Sequence, residues 1–184
     1  MQTVTCFSEL PQGLPHPIAV TIGSYDGIHL GHQAIFKRLT EIGTTTAVVT
    51  FSNHPSEILS PHSPTPLLYA PEKKLMLIKA FDIDYTILLP FTKDTASHTY
   101  DTFLLKLRNF LPFDILVLGE SAVLGKDRTG TPPAIRTLAE KEGFQVEYIP
   151  HIEIADAPVS SSRIRTTIAS GDTQMDIRLL GHPL

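Results

Sequence analysis

The chain has 184 residues, 42% of them hydrophobic and 18% charged, with a formal charge of −4. A chain of this length carries one packed core, so a single domain over residues 1–184 is expected. The acidic balance argues against a general nucleic-acid binder, which needs many Lys and Arg set against phosphates. No apolar run approaches the length that crosses a bilayer, so no membrane span is expected. Residues 1–7 lack the basic start and long apolar stretch of a signal peptide, and the only cysteine, Cys6, excludes an internal disulfide. Both fit a reducing compartment, and a cytoplasmic protein is the expectation.

In chain order, residues 1–16 read as a short leading strand and a loop broken by Pro11, Pro15 and the following Pro17. The apolar run Ile18–Ile22 reads as a buried strand, 23–27 as a tight turn, and 34–39 as part of an amphipathic helix. The β-branched run Thr45–Phe51 is a second buried strand, so the helix between them makes a parallel βαβ unit. Residues 52–55 follow at its carboxyl end, and 60–66 hold three prolines, a long stiffened loop. A helix starts at Pro71, with proline in its first turn and Glu72 beside it. Then come a strand at Tyr85–Leu89, a helix over 100–111 with Phe103, Leu104, Leu107 and Leu111 on one face, and a strand at 114–118. A glycine-bounded loop over 119–130, a helix over 133–142 and a strand at Gln145–Ile149 complete the alternation. The last segment reads as two short helices, 166–170 and 172–180, broken at Gly171. Strands alternating with helices, without repeats or linkers, predict an α/β fold with a doubly wound, mostly parallel sheet.

Three segments carry candidate chemistry. At the first strand-to-helix turn, Gly23, Gly27 and Gly31 lie within nine residues, and His29 and His32 stand three apart at a helix start. Gly31 lets a ligand come close to the backbone, and the unpaired N–H groups of a helix start attract phosphate. Both imidazoles can then donate to one anion. A histidine pair also suits a metal or a polar surface. Zinc is disfavoured, since Cys6 is remote and no third ligand stands at a familiar spacing. His54, beyond the second strand, is either a turn residue before proline or a third member of this group. Ser160, Ser161 and Ser162 with Arg163 and Arg165 are either plain helix capping or a second anion-binding helix start. Lys126 and Arg128, in the glycine-bounded loop, belong to a solvent loop or to one that closes over a phosphate tail.

These segments together resemble the FAD synthetase family, the adenylyltransferase module of prokaryotic-type bifunctional riboflavin kinase/FMN adenylyltransferase, over nearly the whole chain. The stretch from Thr21 to Gln33 is similar to the family's Gly-x-Phe-Asp-Gly-x-His-x-Gly-His-Gln signature, a version of the His-x-Gly-His motif of a wider nucleotidyltransferase superfamily. Thr50 to Pro55 is similar to Thr-Phe-x-Pro-His-Pro. Val159 to Arg165 is similar to Val-Ser-Ser-Thr-x-Ile-Arg, with Ser162 in place of threonine, and Leu179 to Pro183 to a Leu-Leu-Gly-Arg-Pro junction before the kinase module.

The resemblance implies a Rossmann-like nucleotidyltransferase fold and transfer of AMP from ATP to FMN with Mg2+, giving FAD and pyrophosphate. It implies that His29 and His32 hold the α- and β-phosphates and that Ser160, Ser161, Ser162 and Arg165 grip the β- and γ-phosphates, with Arg128 closing from its loop. Gly23, Asp26 and Gly27 would shape the turn, while Asn53 and His54 border the flavin side. It assigns no protein metal ligand. One departure stands out. The family's Gly-x-Asp/Asn-Phe-x-Phe-Gly segment here runs from Gly119 to Gly125 without its acid or amide and both aromatics, leaving Ser121 to hydrogen-bond. Another phosphorylated acceptor, or a binding module with weak catalysis, are the alternatives. The chain stops where a riboflavin kinase module would begin, so it is cut from a longer protein or free-standing, and kinase activity is not expected of it.

Overall fold

A computed structural model describes residues 1–183. The elements are β1 (Gln2–Val4), β2 (Ile18–Ile22), α1 (Leu30–Ile42), β3 (Thr45–Phe51), α2 (Ser56–Leu59), α3 (Pro71–Lys79), β4 (Tyr85–Leu89), α4 (Lys93–Ser97), α5 (Tyr100–Phe110), β5 (Ile115–Gly119), α6 (Pro132–Glu142), β6 (Gln145–Ile149), α7 (Ser161–Ser170) and α8 (Thr173–Leu180). The six strands form one sheet in the order β1-β4-β3-β2-β5-β6. Every pairing is parallel, including that of the short edge strand β1 with β4. The expected "mostly parallel" sheet is therefore wholly parallel among the described residues.

The central strands β2 and β3 are buried at every position, as a sheet covered on both faces requires. Their side chains alternate between two cores. Ile18, Val20, Ile22, Ala47 and Val49 pack with Leu104 and Leu107 of α5 and Ile135 and Leu138 of α6. Ala19 and Val48 face the other way, onto Ile35, Phe36 and Leu39 of α1 and Ile78 of α3. A third cluster, Tyr69, Val159, Ile164, Leu179 and Leu180, seats α7 and α8.

Two elements were not legible beforehand. The stiffened stretch after β3 contains the four-residue α2, and the connection from β4 to α5 contains α4, capped by the Thr92 hydroxyl. Both are single turns, too short for a hydrophobic period to show. The strand order matters most for function. From β2 the chain winds outward through β3 and β4 on one side, then returns to add β5 and β6 on the other. The reversal falls between β2 and β5, and a ligand crevice belongs outside their carboxyl ends.

Candidate active site

At that reversal lies a crevice of about 380 Å³, bordered by Gly23 after β2 and Gly119 at the end of β5. His29, His32, Gly31, Asp26 and Arg165 line it, as do His54, Ser121 and the serines 160–162. Residues 29–32 and 160–165, far apart in sequence, thus open on one cavity. A contact between segments explains how. The Ser161 hydroxyl donates to the Asp26 carbonyl at 2.7 Å, and the Arg165 guanidinium pairs with the Asp26 carboxylate. Asp26 is 1% exposed and also accepts from the Leu68 N–H at 2.9 and 3.1 Å. Arg165 Nε donates to the Pro66 carbonyl at 3.0 Å, so its fork is held from two sides.

His29 is the N-cap of α1, its Nδ1 accepting the His32 N–H at 3.4 Å, which leaves Nε2 to carry the proton of the neutral ring. The two imidazoles are stacked, centroids 3.6 Å apart. A Cβ on Gly31 would lie 3.3 Å from the His29 ring, so this glycine makes room for the stack as well as for a ligand. Gly27 has φ +91°, and a Cβ there would meet Leu68 at 2.7 Å, so only glycine completes the turn. Burial brings the His29 pKa down to about 4. Burial, then the charges of His29 and Lys74, hold His32 well below the ordinary range. His54 is also lowered, first by burial and then by Arg165, and its Nδ1 accepts the Ser56 N–H at 3.1 Å. All three rings are therefore neutral near pH 7, each a donor only through the proton it keeps.

The second helix start is built alike. The Ser160 hydroxyl accepts the Arg163 N–H at 3.2 Å as the N-cap of α7, leaving the N–H groups of Ser161 and Ser162 directed out of the helix end. Ile35, Ile149, Ile152 and Val159 make the crevice's apolar walls.

A second cavity, of about 580 Å³, adjoins the first, and Ile22, Gly23 and Ser24 line both. Its walls are largely apolar, with Phe51, Phe91, Phe103, Val123 and Leu124. Arg128 lines this cavity and not the crevice of His29, contrary to the expectation that it closes over phosphates. Its loop is pinned, since Leu124 and Gly130 bridge and Lys126 N–H donates to the His98 carbonyl at 2.8 Å. The place of Asn53 also differs from expectation. Its amide donates to the Phe91 carbonyl at 3.1 Å and accepts the Phe91 N–H at 2.8 Å, so it ties the ends of β3 and β4 and borders neither cavity. His54 falls on the polar side with His29, not on the apolar side.

Sequence reasoning missed Lys74, a fully buried lysine on α3, and His151, which follows β6 at the crevice edge. His151 could have been found by its position just past a strand's carboxyl end. Lys74 gave no such signal, because a lysine beside Lys73 in an amphipathic helix reads as solvated.

The chain is similar to known proteins over most of its length. A family model described as FAD synthetase matches residues 12–163. A bifunctional riboflavin kinase/FMN adenylyltransferase of Haemophilus influenzae is 31% identical over 90% of this chain and 55% of its own. An FAD synthetase of Listeria monocytogenes is 29% identical over 89% of this chain and 68% of its own. The chain thus spans about half the length of the bifunctional relative. Among solved structures, a macrolide-efflux protein from Streptococcus pneumoniae superposes with a TM-score of 0.84 at 25% identity, over 99% of this chain and 61% of that one.

Proposed function

The chain belongs to the FAD synthetase family, and on that basis we propose that it transfers AMP from MgATP to the phosphate of FMN, giving FAD and pyrophosphate. One observation carries the reading: a polar crevice with two helix starts meets an apolar, aromatic-walled cavity along Ile22, Gly23 and Ser24. A triphosphate suits the first and a planar ring system the second, with the reacting phosphates brought together at Gly23 and Ser24.

In the reaction an ionised FMN phosphate oxygen bonds to the α-phosphorus, while the bond from that phosphorus to the bridging oxygen breaks and its electron pair leaves with pyrophosphate. The nucleophile is already ionised at neutral pH, so no protein nucleophile or strong base is needed. The protein's work is alignment and charge stabilisation. Imidazole N–H groups of His29 and His32 and the start of α1 face the α- and β-phosphates. Ser160, Ser161, Ser162 and Arg165 at the start of α7 take the β- and γ-phosphates. The crevice's carboxylate, Asp26, is occupied by Leu68 and Arg165, and no group of three possible metal ligands converges among the described residues. Magnesium bound with the triphosphate would neutralise charge on the phosphate oxygens as pyrophosphate leaves.

Aromatic residues are missing from 119–125, but other segments supply them to the lining of the apolar cavity. Phe51 and Phe91 meet edge to face at 5.0 Å, and Phe103 stands nearby, which suits an isoalloxazine ring. The smaller side chains at Ala122 and Leu124, where the family has aromatics, favour a second reading, an adenylyltransferase with another phosphorylated acceptor. Incubating the chain with ATP, Mg2+ and FMN and resolving the flavins by chromatography decides between them. FAD with equimolar pyrophosphate is expected; pyrophosphate formed only when another acceptor is supplied would reject FMN.

A further inference from the structure

Lys74 is 1% exposed, among the largest fully buried side chains of the molecule. Its Nζ donates to the Ser24 carbonyl at 2.7 Å and the Phe51 carbonyl at 2.8 Å, with the Thr50 hydroxyl at 3.5 Å. The Thr50 hydroxyl itself donates to the Ser24 carbonyl at 3.1 Å. These contacts sit at an informative place. Ser24 belongs to the ridge that both cavities share, and Phe51 lines the apolar one. Three protons meet three acceptors, which only the charged ammonium can supply.

Lys74 has no carboxylate partner among the described residues. Burying an unpaired cation is costly, and a methionine of similar volume would fill the space without that cost. The crevice offers a use for the charge. Arg165 is paired with Asp26, while His29, His32 and His54 are neutral. Lys74 lines neither cavity, but through the Ser24 carbonyl its buried ammonium lies directly behind the ridge that the two share. Its reach is visible in the neighbouring rings, since it disfavours protonation of His32 and His54.

We propose that Lys74 is a positioning residue for the triphosphate: its buried ammonium fixes the ridge at Ser24 and Phe51 and supplies the fixed positive charge toward which the phosphates bind. This rests on the crevice being a triphosphate site, and it needs no assumption about the acceptor. The groups facing Lys74 are Asp26 from the turn, His32 from α1 and His54 from the segment after β3; on its own helix, Lys73 lies over the Tyr69 ring. Burial lowers the Lys74 pKa to about 8, partly offset by Asp26, so the charge is lost in an accessible alkaline range.

The test is the dissociation constant of MgATP measured by calorimetry from pH 7 to 9.5, for the wild type, Lys74→Met and Lys74→Arg, alongside thermal unfolding. In the wild type, affinity is expected to fall by about tenfold across this range as a nearby charge is lost. Lys74→Met is expected to bind weakly at every pH, and Lys74→Arg, charged throughout, to show no alkaline decline. A pH-independent wild type, a methionine variant binding as the wild type does, or an arginine variant that keeps the decline would each overturn the proposal. A variant that merely lost melting temperature while binding normally would do the same. Should Lys74→Met not fold, the wild-type profile decides alone. Failure of the wild type to bind MgATP at any pH would overturn the triphosphate reading itself, and the proposal with it.

Discussion

The ion pair between Asp26 and Arg165 joins the two helix starts, and a double-mutant cycle on it tests that role. The perturbations are Asp26→Asn, Arg165→Gln and the pair together. Arg165→Gln leaves a carboxylate 1% exposed whose one remaining hydrogen-bond donor is the Leu68 N–H, with the Lys74 ammonium as the nearby cation. Removing one partner of a buried pair typically costs 3–5 kcal/mol, and because the Arg165 side chain keeps 19% of its exposure, about 3 kcal/mol is expected. Asp26→Asn should cost less, about 2 kcal/mol, since the amide oxygen still accepts from Leu68 and water can reach the guanidinium. With both charges gone neither is stranded, so the double variant should lose about 3 kcal/mol in place of the additive 5. Urea unfolding of the four proteins at pH 7 measures this, provided the slopes agree. Single losses that add to within about 0.5 kcal/mol would refute the coupling, and with it the argument that this pair holds the crevice together.

Three further outcomes are expected. His29→Ala removes the N-cap of α1 and, on the proposed function, a phosphate donor; turnover should fall by about 10²–10³ while FMN affinity stays near that of the wild type, and an unchanged rate would take His29 out of the mechanism. The same histidine sets an acid dependence of stability. Its folded pKa, about 4, lies below the ordinary 6.5, so the unfolded chain binds the proton more readily and stability is lost as pH falls from about 6.5 to 4. The full loss is about 3 kcal/mol from this group; unfolding of His29→Gln against the wild type over that window should show a shallower decline, and equal slopes would count against the assignment. Phe103→Ala should weaken FMN binding by about tenfold through lost aromatic contact while leaving MgATP affinity unchanged, as read by flavin fluorescence and calorimetry. A loss shared equally by both ligands would mean that the apolar cavity is not the flavin site.

Much of this molecule was legible one segment at a time. The runs Ile18–Ile22 and Thr45–Phe51 declared buried parallel strands because both faces of a covered sheet demand apolar residues. The turn before α1 was readable because its geometry needs glycine: Gly27 has a positive φ and Leu68 occupies the space a Cβ would take. The cap at Ser160 was readable for a local reason too, as the first N–H groups of a helix need a nearby acceptor and serine supplies one, whereas nothing in the sequence marked His29 as the cap of α1. Other features stayed hidden because they depend on neighbours distant in sequence. Arg165 reaches Asp26 across 139 positions, Asn53 reaches Phe91 across 38, and Lys74 reaches Ser24 across 50. A side chain's type does not say which backbone carbonyl will face it once the sheet has formed. Arg128 stood in a basic loop that could have turned toward either cavity, and the packing of that loop directed it to the apolar one. The residue types and their spacing determined an α/β sheet and two segments, at 29–32 and 160–165, of the composition that suits an anion. Tertiary structure alone decided that they share a crevice, that the histidines there are neutral, and that a buried lysine, Lys74, holds the carbonyls of Ser24 and Phe51, because burial and long-range pairing set protonation and position together.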